Sequence, residues 1–435
     1  MNVLLTTHRL PPDGVAGVER ITEDLADALA RRGESVTVVT RQWSRRARIV
    51  RRWKREVTST GVGVERLPGV PSPLERAFAE DERVTRDFMQ VFSAARPDVV
   101  HAMHTYGFSP GCIDAVLERR VPLVVSLQDF FFACPLAHLQ KKDGRLCPGP
   151  AGGAECAATC FRDDPRADVR WSLRAAYFRA VLAAATDVIA PSEHVARYFT
   201  EEGIADRPIR VIANGLALER HAASRAPQQG TRLRLAYIGA VAPSKGVDLI
   251  LEALAVADRQ KRPESLLVAG AQPNRSYADR LRAAAGRLEG IEVAFAGEYD
   301  RPELERLLAD VDIVVVPSRV PETFSLTVRE AQALGIPTVV ARIGALPDAI
   351  EEGVTGWSFT ADSPASLAEL FDRLAADPAS VERARTAVSR LRLTRVDDHT
   401  EQVLDVYRGA VTADGVTDEL QAEVASLGQA LARLA

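Results

Sequence analysis

No apolar run in the 435-residue chain reaches the roughly 18 to 20 residues that a membrane-spanning helix needs. The N-terminus, Met1-Asn2 ahead of Val3, Leu4 and Leu5, carries no charged segment before an apolar block, so no export signal is expected and the expected location is the cytoplasm. Charge of one sign is also missing. The chain has 55 Lys and Arg against 59 Asp and Glu, a net of −4 with His neutral, and this excludes the marked basic excess of a general nucleic-acid binder. Five cysteines make no disulfide framework, although four of them crowd between Cys134 and Cys160. What is present, 46% hydrophobic and 26% charged residues, is the composition of a globular protein. A single core rarely grows past about 250 to 300 residues, so two domains are expected.

The first 40 residues read as strand, glycine-containing loop, helix and strand: Val3 to Leu5, then His8 to Gly17, then Val18, Ile21, Leu25 and Leu29 at helical spacing, then Ser35 to Val39. Short apolar strands continue at Asp98–Val100, Leu123–Leu127, Asp187–Ala190 and Ile209–Ile212. After Asn214-Gly215, the small polar stretch 222–231 predicts a linker, and a second unit follows with strands at Leu233–Ile238, Leu266–Ala269, Glu292–Phe295, Ile313–Val316 and Thr338–Val340. The alternation predicts α/β architecture: two doubly wound, Rossmann-like domains facing across a cleft, with ligands at the C-terminal ends of the strands. The expected boundaries are 1–215, with a cysteine-bearing insert at 130–165, then 216–395, then C-terminal helices at 396–435 that cross back or pair.

The most informative stretch runs from Val316 to Pro347. A strand ends at Pro317-Ser318, a loop carries Glu322, and a helix starting near Thr323 to Ser325 carries Glu330. At 1.5 Å per helical residue the two carboxylates lie roughly 7 to 12 Å apart along the axis, a span that brackets a diphosphate. The start of the helix, at Phe324, Ser325 and Leu326, offers free backbone N–H groups and a positive dipole end to an anion. An arbitrary pair of glutamates eight apart is more often a solvated helix face. Here the spacing resembles the E-x7-E motif of retaining GT-B glycosyltransferases, in particular family 4, and so do its flanks: Pro317-Ser318 before it, Glu330-Ala331 through Gly335 and Pro337 after it, then Gly344 to Pro347. The resemblance covers roughly residues 1 to 395. It implies a GT-B fold and transfer of a sugar from a nucleotide-diphosphate sugar, of UDP or GDP type, to an acceptor hydroxyl. It further implies that Glu322 contacts the donor sugar and Glu330 the nucleotide ribose, and that Glu322 and Lys245 serve catalysis.

Gly239 to Gly246, directly after a strand, is a second element of the same resemblance. Lys245 supplies a point charge for the diphosphate and Gly239 allows close backbone approach. Many members of the family carry Arg directly after the first glycine, where this chain has Ala240. In the N-terminal loop Asp13 to Arg20, Gly14 and Gly17 are separated where two adjacent glycines are usual; a simple turn explains them, and the resemblance implies that the backbone at Gly17 approaches the donor diphosphate or the acceptor. Asp310-Val311-Asp312 has the form of a metal-binding D-x-D but opens a buried strand, and no catalytic metal is expected.

On the acceptor side the candidates are His101, His104, Gln128 and Asp129, all at strand ends. Gln128-Asp129, followed by aromatics and Cys134-Pro135, matches a family segment that usually reads His-Asp, so a titratable group is replaced by an amide. His101 and His104 read either as acceptor ligands or as buried, satisfied histidines, and Asp129 either orients the acceptor hydroxyl or caps the following turn. Cys134, Cys147, Cys156 and Cys160 lie in a loop rich in Pro and Gly. Four thiolates on a structural Zn²⁺ would hold it, and separate thiols or disulfides are the alternative.

Two stretches concern partners. Residues 41–57 hold seven Arg, one Lys and two Trp, with Ile49, Trp53 and Val57 on one helical stripe; this suits either an anionic lipid surface, which would add peripheral contact at the inner membrane, or a solvated loop. Leu420, Val424, Leu427, Leu431 and Leu434 make a short a/d seam within 417–434 that either pairs two chains as a homodimer or docks on its own domain. The acceptor class stays open between a glycan, a lipid-linked glycan and a small molecule. A sugar phosphorylase, an epimerase and a non-catalytic sugar-nucleotide-binding subunit are the alternatives within the fold.

Overall fold

The computed structural model describes residues 1–14, 16–43, 53–69, 81–218, 232–413 and 415–434. It divides into two compact units, Met1–Gly215 with Thr394–Ala435, and Leu216–Leu393. The expected linker at 222–231 lies outside the described residues.

The first unit is built on an eight-stranded sheet. Its strands are β1 (Asn2–Thr6), β2 (Ser35–Arg41), β3 (Lys54–Val57), β4 (Gly63–Leu67), β5 (Val99–Ala102), β6 (Leu123–Ser126), β7 (Asp187–Ala190) and β8 (Arg210–Val211). They lie in the order β3-β4-β2-β1-β5-β6-β7-β8, and all pairs are parallel except β3 with β4. Val3, Leu4 and Leu5 are buried side by side, as expected for a parallel strand covered on both faces. The helix Gly17–Arg31 turns Ile21, Leu25, Ala28 and Leu29 inward. The chain order reverses between β1 and β5, which is the point where an open α/β sheet leaves a crevice at its C-terminal edge.

The second unit has a six-stranded, wholly parallel sheet of β9 (Arg234–Ile238), β10 (Ser265–Ala269), β11 (Glu292–Gly297), β12 (Ile313–Val316), β13 (Thr338–Ala341) and β14 (Gly356–Phe359). The order β11-β10-β9-β12-β13-β14 puts its reversal between β9 and β12.

Two expectations are corrected here. At its described end, the expected helical stripe is not helical: Lys54–Val57 is a strand paired antiparallel with β4, Val57 is 72% exposed, and the Trp53 indole donates to Glu65 at 2.6 Å. Arg41 is not available to a lipid surface either, because it is buried and donates to the carbonyl of Gly107 at 2.6 Å. Residues 44–52 lie outside the described residues.

The C-terminal seam is occupied within its own unit. The helix Asp418–Ala432 packs on Ala167–Ala184 and Pro110–Glu118, buries Val424 and Leu431, and half-buries Leu420 and Leu427. Gly428 makes this close approach feasible, since a Cβ there would stand 2.6 Å from the Asp114 carboxylate and 3.3 Å from the Tyr177 ring. With its apolar face spent in this way, the seam has little left to offer a second copy. The preceding helix, Val396–Thr412, is tied to the same unit by Tyr407 on His101, by His399 on the carbonyl of Ala213 at 2.9 Å, and by an Arg32–Asp397 ion pair at 2.8 Å.

Candidate functional site

In the second unit, the loops that follow β9 and β12 meet at the reversal point. Lys245 lies in the loop after β9 and Glu322 in the loop after β12, and the Lys245 ammonium donates to Glu322 Oε1 at 2.6 Å. Ser318 Oγ donates to the same oxygen at 2.9 Å. The two side chains keep 35% and 17% exposure, so the pair is screened by solvent and the ammonium retains donors on its open side. Arg319, directly after Pro317-Ser318, locks the two loops together. Its backbone N–H donates to the Ser244 carbonyl at 2.9 Å, and its guanidinium reaches Asp248 at 2.6 Å and Asp362 at 2.7 Å. That residue was not singled out from the sequence, although it follows the Pro-Ser pair that was.

Ser325 caps the helix Leu326–Ala333 by accepting the Val328 N–H, and it does so at φ 60°, a left-handed backbone that costs a non-glycine residue about 1 to 3 kcal/mol. Phe324 is buried under the Arg329 guanidinium, Leu326 is half-buried, and Glu330 is buried on the fifth residue of the helix. The Gly344–Pro347 segment holds Glu322 from behind: the Ala345 N–H donates to the Glu322 carbonyl at 2.8 Å. At Gly344 (φ 59°) an added Cβ would lie 2.4 Å from the Glu322 nitrogen, so the G-x-x-P glycine is required for contact with the acidic loop. Gly239 directly follows β9, and Tyr237 donates to the Ala240 carbonyl at 2.6 Å, so the loop is held by a hydrogen bond at Ala240. Asp312 is buried and accepts from the Arg234 backbone N–H at 2.8 Å and from Arg385 at 3.2 Å, a structural role.

In the first unit His101 is a buried, satisfied histidine. Nδ1 bonds to the Tyr407 hydroxyl at 2.6 Å and Nε2 to Ser126 Oγ at 2.8 Å, while burial pushes its pKa down to about 3. The acceptor reading of His101 is therefore corrected: neither nitrogen is open to a ligand. Gln128 makes a reciprocal amide pair with Asn214, at 3.1 and 2.9 Å, in a buried setting. This corrects its acceptor-side assignment too, since the amide that replaces histidine has gone into structure.

His104 and Asp129 are brought together, His104 Nε2 lying 2.8 Å from Asp129 Oδ2. The Tyr106 N–H donates to His104 Nδ1 at 2.8 Å, so the ring proton sits on Nε2 and points at the carboxylate. Asp129 also accepts the Phe131 N–H at 2.8 Å, which is the turn cap. Burial would raise its pKa, but His104 and that N–H more than offset it and hold the carboxyl below its usual range. Gly17 opens the first helix and is exposed.

Sequence reasoning missed the companions of this pair. His8 Nε2 and Arg9 Nε each lie 3.1 Å from the carboxylate of Glu19, which is wholly buried. Trp43 stacks on Tyr106 with ring planes 3° apart and donates to the His8 carbonyl at 2.7 Å. The available signal was Glu19, a charged residue on the inward side of the first helix.

The four-cysteine metal site is corrected. Among the described residues no three His, Cys, Asp or Glu side chains stand where they could share a metal ion, and the cysteines are free. Cys134 and Cys156 are buried in apolar clusters, Cys147 donates to the Gly149 carbonyl, and Thr159 donates to Cys160. Burial pushes the Cys156 thiol up to about 12. The insert holds itself by other means: Phe130, Phe131, Phe132 and Leu139 enter the core of the unit, and Lys141 pairs with Glu155 at 2.6 Å.

Two family models match, Glycosyltransferase Family 4 over residues 15–220 and Glycosyl transferases group 1 over residues 221–390. A D-inositol 3-phosphate glycosyltransferase from Thermomonospora curvata is 26% identical, with 95% of this chain and 97% of that protein covered. A glycogen synthase from Mycobacterium tuberculosis is 27% identical over 91% of this chain and 90% of its own length. Among solved structures, a sucrose-phosphate synthase from Thermosynechococcus elongatus superposes with a TM-score of 0.68 at 19% identity, covering 93% of this chain and 98% of that one. The Anabaena protein HepE, in complex with UDP and glucose, gives 0.64 at 19% identity, covering 93% and 98%.

Proposed function

Because the chain belongs to the family 4 glycosyltransferases and has their GT-B fold, we propose that it transfers a sugar from a nucleotide-diphosphate sugar to an acceptor hydroxyl with retention of anomeric configuration. The observation that carries the donor assignment is the Lys245–Glu322 pair at the reversal point of the second sheet, next to a capped helix start. Lys245 and the N–H groups at Phe324, Ser325 and Leu326 take the diphosphate. Glu322 holds the sugar and Glu330 the ribose. Gly239 leaves room for the backbone to come close to the phosphates.

In the transition state the bond from the anomeric carbon to the diphosphate oxygen breaks, and its electron pair leaves with the diphosphate. The acceptor oxygen bonds to the same face of the sugar, and its proton passes to the leaving phosphate. Catalysis of this kind consists of stabilising the departing charge and positioning the hydroxyl, with no enzyme nucleophile and no catalytic metal required. The acceptor side is the first unit, at the loops that carry His104 and Asp129. A cyclic polyol or sugar is the acceptor class we favour, because a relative that matches nearly full length is named for D-inositol 3-phosphate.

UDP is the first nucleotide to test, since the HepE structure of the same fold holds it. The test is thermal shift with UDP-glucose, UDP-galactose, UDP-N-acetylglucosamine, GDP-mannose and ADP-glucose. A ligand at 100 times its dissociation constant adds about 2.7 kcal/mol of stability. At least one panel member should raise the melting temperature, and the product anomer read by NMR should match the donor. No shift with any member sinks the proposal. Turnover that requires inorganic phosphate would identify a phosphorylase instead.

A further inference from the structure

The reversal point of the first sheet carries a four-residue array that the reading above uses only in part. His8 follows β1 and His104 follows β5, the two strands between which the order reverses. The two loops are cross-tied: the His104 N–H donates to the Thr6 carbonyl at 3.0 Å, and Thr6 Oγ1 donates to the His104 carbonyl at 3.1 Å. The imidazole rings lie 4.7 Å apart, with Glu19 beyond His8 and Asp129 beyond His104.

The two halves of the array differ in how far their hydrogen bonds are made. His104 has both nitrogens engaged, and both Asp129 oxygens already accept hydrogen bonds. His8 does not share this closure. Glu19 Oε1 stands 3.1 Å from Nε2 outside hydrogen-bond alignment, and both Glu19 oxygens lack a hydrogen-bond partner; a carboxylate at that distance favours the proton on Nε2, since two lone pairs would otherwise face each other, and this leaves a lone pair on Nδ1. Nδ1 is buried and has no hydrogen-bond partner. An acceptor atom left so costs free energy unless something supplies a donor. We propose that His8 Nδ1 accepts the hydrogen bond of the acceptor hydroxyl in the bound complex, the proton turning to the leaving phosphate as the new bond forms, with Glu19 favouring the tautomer that makes Nδ1 an acceptor and the Trp43–Tyr106 stack flanking the bound ring.

Supporting electrostatics come from the groups that face His8, which are Glu19, Arg9 and His104. Burial, helped by the neighbouring Arg9, outweighs Glu19 and lowers the His8 pKa, so the ring is neutral at physiological pH. Burial would raise the Glu19 pKa, but His8 and Arg9 bring it down to about 2, so it stays a carboxylate. The arrangement is a carboxylate–imidazole pair whose second ring nitrogen is buried and unpartnered, and it follows the logic by which a buried acid orients a histidine in hydrolases.

This inference rests on the first unit being the acceptor side. The test uses the nucleotide sugar that stabilises the protein most, with D-inositol 3-phosphate and water as acceptor probes. His8→Ala should lower both transfer and hydrolysis by about 10- to 100-fold, the loss of one hydrogen bond at the reacting hydroxyl. Nucleotide affinity should stay near the parent value, while the melting temperature should fall, because the buried Glu19 carboxylate loses a partner. His8→Asn, whose amide oxygen reaches the Nδ1 position, should recover part of the rate, and His8→Gln, which reaches toward Glu19 instead, should not. Equal recovery by both, or a His8→Ala variant that turns over within twofold of the parent, overturns the inference and leaves the glycosyltransferase reading standing. A parent protein that binds no panel member, or binds one without turnover on either probe, overturns that reading and this inference with it.

Discussion

Lys245 and Glu330 occupy different settings, and their substitutions should differ accordingly. Lys245 is half-exposed and paired with Glu322, whereas Glu330 is buried on the helix. Lys245→Ala should mainly slow turnover, by roughly 10- to 100-fold if one charge-assisted bond to the leaving group is lost. Glu330→Ala should mainly weaken donor binding, read as a raised dissociation constant for the nucleotide. If both variants bind and react like the parent, the donor assignment is wrong. These residues were legible because a motif carries them: a glutamate pair at fixed spacing beside a Pro-Ser and a G-x-x-P is visible in one dimension. His8 and Glu19 were not, because a lone His and a lone Glu eleven positions apart mean nothing until a helix turn brings them to 3.1 Å.

At the scale of elements, periodicity located β1, β2 and β5 to β13. It missed β3, β4 and β14, and it misread 53–57 as helical. β3 is exposed along its whole length and carries Lys54, Arg55 and Glu56, so no apolar alternation marks it. Its partner β4 alternates, but over only five residues. The last helix shows a different ambiguity: an a/d seam looks the same whether it faces a second chain or its own domain. The structure places it on its own domain, so Leu431→Ala should destabilise the protein by about 2 to 5 kcal/mol, the range for a buried leucine. The urea midpoint measures this. An unchanged midpoint with a halved mass in solution would restore the pairing reading.

Across the whole molecule, two buried histidines couple stability to pH. His101 is held neutral with its pKa lowered to about 3, chiefly by burial, and His399 with its pKa lowered to about 4, again by burial, partly offset by the Ala213 carbonyl. Both would titrate near 6.5 in an unfolded chain, so below that pH the unfolded state binds more protons and folding weakens. Stability should be flat in these groups above about pH 7 and fall on acidification toward pH 4, by on the order of 1 kcal/mol per pH unit for each. Thermal melts between pH 7.5 and 4.5 test this; His101→Gln should flatten the slope, and an identical slope would remove His101 from the account. Both histidines belong to the contact between the C-terminal helix and the N-terminal sheet, 306 positions apart in the case of His101 and Tyr407. The sequence by itself determined the two-domain α/β class and singled out the pair Glu322 and Glu330 together with Lys245, because apolar periodicity and motif spacing are local properties. Only the tertiary structure decided that Gln128 and His101 are structural, that four nearby cysteines share no metal geometry, and that His8 keeps a buried, unpartnered nitrogen. Each of those depends on which distant side chain fills the remaining hydrogen-bond or coordination valence, and chain distance does not encode that.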